Sequence, residues 1–184
     1  MEPAKQSVWP QPPVMDRPRS MWVDVGCIGL ILCGLAAILA PVYMQSNEST
    51  ISSSCLFNMK QSGLAVLMYS EDYDNRLPHR DWMDATYSYS KNWGIYACPI
   101  ASRENDTYFG FAFELTMIGK KTGKVGSPAT QPLIYDSDLL YKNATAPIRV
   151  GLMKPGRHHE GNNVGYLDGH CKRMSDADAA KRWP

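Results

Sequence analysis

From Val25 to Met44 the sequence VGCIGLILCGLAAILAPVYM runs for twenty positions without a formal charge. It is apolar all round rather than striped, and at about 1.5 Å of rise per residue it reaches roughly 30 Å. Length and all-round apolarity predict a membrane-spanning helix over 22–44 in preference to a buried core helix. Beyond it the pattern becomes one-sided. In QSNESTISSSCLFNMKQSGLAVLMYSEDYDNRLP, the residues Leu56, Met59, Val66, Leu67 and Tyr73 fall within about 120° of a helical wheel. That stripe predicts an amphipathic continuation over 45–78, weakened at the Ser-rich stretch 49–54 and closed by Pro78.

The rest, 79–184, reads as short elements forming a small head. DWMDATYSYSKN suggests a brief helix, GIYACP a strand stub, and YFGFAF and PLIYDSD strands, separated by Gly, Pro, Ser and Asn clusters. NVGYL and HCKRM form a hairpin around Asp168-Gly169, a pair suited to a two-residue type I′ turn that sets Leu167 opposite His170 and Tyr166 opposite Cys171. Ser175 then caps a terminal helical turn, DADAAKRW, with acids first and bases last. The fold class expected is α+β: a long N-terminal helix, half membrane anchor and half amphipathic, packed on a small antiparallel sheet.

Composition adds boundaries. Residues 1–21 carry Pro3, Pro10, Pro12, Pro13 and Pro18 and read as a flexible cytoplasmic tail. Lys5, Arg17 and Arg19 precede the apolar run and no Lys or Arg follows it until Lys60. The positive-inside rule therefore predicts a single-pass protein of the cytoplasmic (inner) membrane, N-terminus in and head extracytoplasmic, with the membrane as a partner. A cleavable signal peptide fits less well, given the long polar leader. Nineteen Lys and Arg against eighteen Asp and Glu leave a net charge of +1, too even a balance for holding nucleic acid.

Candidate chemistry gathers in RHHEGNNVGYLDGHCKRM, which holds three of the four histidines. His159-Glu160 begins like the zinc-protease H-E-x-x-H, but Asn163 stands where the second histidine belongs, and Gly161 opposes the helix that motif needs. His170 and Cys171, as strand neighbours, point to opposite faces. A thiol pair of Cys171 with His158 or His159 rests on proximity alone. No catalytic residue and no cofactor is assigned. Asp72 with Asp74, and Asp136 with Asp138, offer alternate carboxylates that begin a calcium site, although neither pair continues as an EF-hand loop. Of the cysteines outside the apolar run, Cys55 and Cys98 are the favoured disulfide, with Cys171 as a buried thiol or the alternative partner.

These residues together carry a resemblance. His158, nine residues and then Asp168-Gly169 form an H-x9-DG signature followed by His170, and CLFNMKQSGLAVLMYSEDYDNRLP, YACP and PLIYDSD sit where the family has its helix, its C-P and its D-S strand. The chain is similar over about 35–174 to bacterial type IV pilin-like proteins, in particular the prepilin-type, pseudopilin-like branch with that signature. The resemblance implies a long helix on an antiparallel sheet, other pilin-like subunits as partners, and a structural role in a pilus-like or type II secretion-like assembly rather than catalysis. It also sets Asp24 at the family's acidic position and Arg19-Ser20 where the family has Gly-Phe at the processing site, a departure from the expected cleavage chemistry. The alternatives are an anchored extracytoplasmic ligand-binding module on the same scaffold and, further off, an exported metal-dependent enzyme.

Overall fold

The computed structural model describes residues 21–103, 105–158 and 161–183, the side chains of 21–24, 42 and 44–48 excepted. Arg19, Ser20 and the tail before them lie outside the described residues, as does the side chain of Asp24. The chain divides into two compact units, Met1–Gln45 and Ser46–Pro184. Helix α1 covers Met21–Asp72. In the first unit its apolar side chains are exposed, Leu30 at 76% and Leu39 at 61% among them.

The membrane expectation is corrected here. Among the described residues no helix is long and apolar enough to cross a membrane. The stretch 49–72 buries one face while exposing Phe57, Lys60 and Glu71. The transmembrane, single-pass and inner-membrane assignments are corrected with it, including the orientation that placed the N-terminus in the cytoplasm.

In the second unit, α1 buries Ser52, Cys55, Met59, Ser62, Val66 and Ser70, positions three and four apart. That face is turned from the expected one: Tyr73 is 54% exposed, and three serines take places the hydrophobic count left out. Small side chains let the helix approach closely while satisfying carbonyls across the gap, as Ser62 Oγ does in donating to Ile95 O at 2.7 Å. Asn58 Nδ2 likewise donates to Gly94 O and Ala97 O. The chain leaves the helix through Asp74 and Asn75, both left-handed, and Leu77 N donates to Lys120 O at 2.9 Å.

Helices α2 (Trp82–Ser90) and α3 (Pro99–Ser102) flank a 3-10 turn, Trp93–Tyr96, in place of the expected strand stub. Asn92 caps that turn by accepting from Gly94 N, and Pro99 starts α3, so no extended run is left. Strands β1 (Phe111–Glu114), β2 (Pro132–Asp136), β3 (Thr145–Ala146), β4 (Gly161–Tyr166) and β5 (Cys171–Ser175) form one sheet in the order β3-β1-β2-β4-β5. It is mixed rather than antiparallel, because β3 pairs with β1 in parallel while the other pairings are antiparallel. Phe111, Phe113 and Ile134 join Cys55, Met59 and Val66 in one core. On the other face Ala112, Tyr135, Val164, Tyr166 and Met174 pack with Ile148 of α4 (Ile148–Gly151) and Ala179 of α5 (Asp176–Arg182). Ser175 caps α5 by accepting from Asp178 N.

The β4–β5 connection is one residue longer than a type I′ turn. Gly165 pairs with Cys171, Gly169 N donates to Tyr166 O at 2.9 Å, and Tyr166 N donates to His170 O at 2.9 Å. Only Gly169 in the connection has positive φ, at 86°, so Asp168 lacks the left-handed backbone a type I′ turn demands. The loop is a three-residue one closed by a left-handed glycine, and Tyr166 faces His170, not Cys171, with rings stacked 4.3 Å apart.

Candidate functional site

The two halves of the H-x9-DG signature serve different places. His158 reaches the buried side of the sheet, where its neighbours come from three elements. Gly156 permits this: a Cβ there would lie 2.4 Å from the Gly161 backbone, so the strap before His158 can press against β4 only without a side chain. His158 and Gly161 then exchange backbone hydrogen bonds, 3.0 Å and 3.1 Å.

The His158 ring is fully buried. Its Nδ1 lies 3.3 Å from Ser52 Oγ, its Nε2 3.3 Å from Asp136 Oδ2 and 3.6 Å from Cys98 Sγ. Arg173 donates to Ser52 Oγ, which leaves the serine proton for Nδ1. Nε2 is left facing Asp136 Oδ2 and Cys98 Sγ. Asp136 Oδ2 also accepts from Asn163 N at 2.6 Å, while Arg157 stands with Nη1 4.0 Å from Oδ1, donating from Nη1 to Gly110 O and from Nη2 to Ser137 O. A disulfide joins Cys55 of α1 to Cys98 before α3, with Cα atoms 4.9 Å apart. Helix, strap and β2 therefore meet at one buried polar junction.

Cys98 is not placed as the nucleophile of a nucleophile–base relay. A relay places the nucleophile and the orienting carboxylate on opposite imidazole nitrogens, whereas Cys98 Sγ and Asp136 Oδ2 approach the same Nε2. Cys98 is also bonded to Cys55. What the arrangement can do is tie α1 to the sheet.

The signature's other half is at the surface. Asp168 Oδ1 accepts from His170 N at 3.1 Å and pairs with its Nδ1. Burial alone would push this carboxyl up, but the backbone N–H and ring of His170 outweigh it and hold it below the ordinary carboxylate range. His170 and His158 thus have separate carboxylate partners. Of the calcium candidates, Asp72 accepts from Tyr89 Oη at 2.7 Å, Asp74 is exposed in left-handed backbone, Asp138 is exposed, and only Asp136 joins His158. Cys171 is half-buried, and burial pushes its thiol up to about 11.

The sequence reading did not pair His158 with Ser52, Asp136 or Arg157. One signal was present: an aspartate ending the apolar run PLIYD needs a partner if that run is buried on both faces. In comparisons with known proteins, no family model, no curated protein and no solved structure matches the chain.

Proposed function

We propose that the chain is a non-enzymatic structural protein, a subunit of a pilin-like or secretion-associated assembly. The observation that carries this reading is the use of the signature residues themselves. His158 is spent on internal contacts with Ser52 and Asp136, and Asp168-Gly169 on a turn, so the most chemically loaded stretch of the sequence serves to close a fold. The first unit supports it too, because Val25, Ile28, Leu30, Ile31, Leu35 and Ile38 expose apolar surface of the kind that marks an association face. Copies of the chain are the partners this reading assigns.

Cys27 and Cys33, both exposed and free on that stretch, provide the test. A bismaleimide added to intact cells is expected to give a ladder of dimers and higher multimers that disappears in the Cys27→Ser, Cys33→Ser double variant. Monomer alone, at native expression and full labelling, would refute the assembly reading.

A further inference from the structure

The disulfide junction has the dimensions of a metal site. Ligand atoms of Cys55, Cys98 and His158 all lie within 4.8 Å of one another, and all three residues are buried. Around a tetrahedral zinc, with Zn–S about 2.3 Å and Zn–N and Zn–O about 2.0–2.1 Å, sulfur and nitrogen stand about 3.5 Å apart and nitrogen and oxygen about 3.3 Å. Cys98 Sγ to His158 Nε2 is 3.6 Å, and His158 Nε2 to Asp136 Oδ2 is 3.3 Å. Those are two edges of such a tetrahedron.

A second observation is independent of the cysteines. Asp136 Oδ1 and both side-chain heteroatoms of Asn163 are buried without a hydrogen-bond partner among the described residues. Natural cores seldom leave carboxylate oxygens and amides in that state unless something polar joins them. Asn163 donates its backbone N–H to Asp136 and shares with it the helix-facing side of the sheet.

We propose that Cys55, Cys98 and His158, with Asp136 as the fourth ligand, bind a zinc-class divalent cation whenever the Cys55–Cys98 bond is reduced, so that disulfide and metal are alternative closures of one junction. Two thiolates and a carboxylate bring three negative charges to a dication, and Arg157 beside Asp136 offsets the remainder. A dithiol reductant supplies two electrons and two protons: the S–S bond breaks, each sulfur becomes a thiol, and the reductant closes to its own disulfide. The cation then replaces the two thiol protons, which pass to solvent. His158 frees the Nε2 lone pair by carrying its proton on Nδ1, where Ser52 Oγ turns from donor to acceptor. A junction of this kind would hold α1 on the sheet in oxidising and reducing surroundings alike, and it does not rest on the assembly reading.

The test uses the full chain with Cys27, Cys33 and Cys171 replaced by Ser, reduced by a dithiol, freed of it anaerobically and titrated with Co²⁺. One equivalent should bind with thiolate charge-transfer and tetrahedral d–d absorption, zinc should displace it, and the oxidised chain should show neither band. His158→Gln should weaken binding by more than the 10–100-fold that loss of a supporting residue causes. Asp136→Asn should change the d–d bands. Should the reduced chain unfold without metal, cobalt or zinc must restore the circular dichroism of the oxidised form. Absence of stoichiometric binding, failure of that restoration, or an unchanged spectrum and affinity in His158→Gln would each overturn the proposal.

Discussion

Ser52 and His158, 106 positions apart in the chain, meet side chain to side chain, Oγ to Nδ1 at 3.3 Å. Two turns of sequence logic are joined there: a serine in a stretch that favours helix weakly, and a histidine on a strap that glycine lets lie flat. The Cys55–Cys98 bond fastens the same part of α1 one turn on. Removing Ser52's hydroxyl leaves Nδ1 and Arg173 without their shared partner, so Ser52→Ala is expected to cost about 1–3 kcal/mol. The Cys55→Ser, Cys98→Ser double variant, assayed without metal, is expected to lose about 4 kcal/mol from a sequence separation of 43. Urea unfolding of the intact chain followed by circular dichroism checks both.

Two glycine substitutions should separate a backbone cost from a collision. Gly169→Ala places a side chain at φ 86°, where the nearest neighbour of the new Cβ is the flexible end of Leu67 at 3.3 Å, and is expected to cost about 1–2 kcal/mol. In Gly156→Ala the Cβ meets rigid backbone of Gly161 at 2.4 Å, and the strap must move. The expected outcome is a larger loss, with His158 displaced, read as heightened hydrogen exchange in β4. Equal costs for the two would be inconsistent with the close approach.

Acid should weaken the molecule at identifiable surface pairs. Hydrogen bonds from Lys142 and Asn143 hold the Asp84 carboxyl below its usual range, as His170 does for Asp168. A carboxyl whose pKa is depressed on folding contributes stability that is fully present above its unfolded value and lost as pH falls through the folded one. Both pairs are solvent-screened and each contribution is small. The Asp84→Asn variant should therefore lose part of the stability difference between neutral pH and pH below the carboxylate range, measured by urea midpoints.

Alkali should show the opposite sign at Tyr89. Its hydroxyl donates to Asp72 Oδ2, which pushes the phenol up to about 12. A group whose pKa is raised on folding stabilises below its unfolded value, near 10, and the effect disappears as pH rises through the folded one. Spectrophotometric titration should find one tyrosine ionising near pH 12 that returns toward the ordinary range in Asp72→Asn.

Thiol reactivity should divide by burial. Cys27 and Cys33 are exposed, while Cys171 is half-buried with its thiol pushed up to about 11. Iodoacetamide at neutral pH should modify Cys27 and Cys33 first, with Cys171 lagging, as mass spectrometry of timed peptides would show.

Much of the head was legible because its elements are local. The strands at Phe111–Glu114 and Pro132–Asp136, the β4–β5 hairpin and the Ser175 cap follow from period-two patterning, turn residues and capping chemistry that act over a few positions. The hairpin's register was not, since Asp168-Gly169 suits either a two-residue or a three-residue loop and the choice depends on which residue takes positive φ. The α1 face was misjudged because serines on a buried face follow tertiary carbonyls such as Ile95 O, which no periodicity announces. The parallel β3 strand is two residues long, below what any pattern resolves. The apolar run 25–44 predicts a membrane span on length and composition, whereas among the described residues no helix is long and apolar enough to cross one. As for the site, the signature showed where the polar residues are, but not that His158 turns inward to Asp136 while His170 stays with Asp168 at the surface.

The central claim is that His158 ties helix to sheet. Hydrogen exchange of the intact oxidised chain beside its His158→Ala variant tests it most directly. The account predicts that the variant loses about 3 kcal/mol, the low end for breaking a buried pair because Arg157 remains beside Asp136. Protection should fall together in the α1 stretch around Ser52–Met59 and in β4, elements distant in sequence. Undiminished protection in both, in a variant that remains folded, would contradict it.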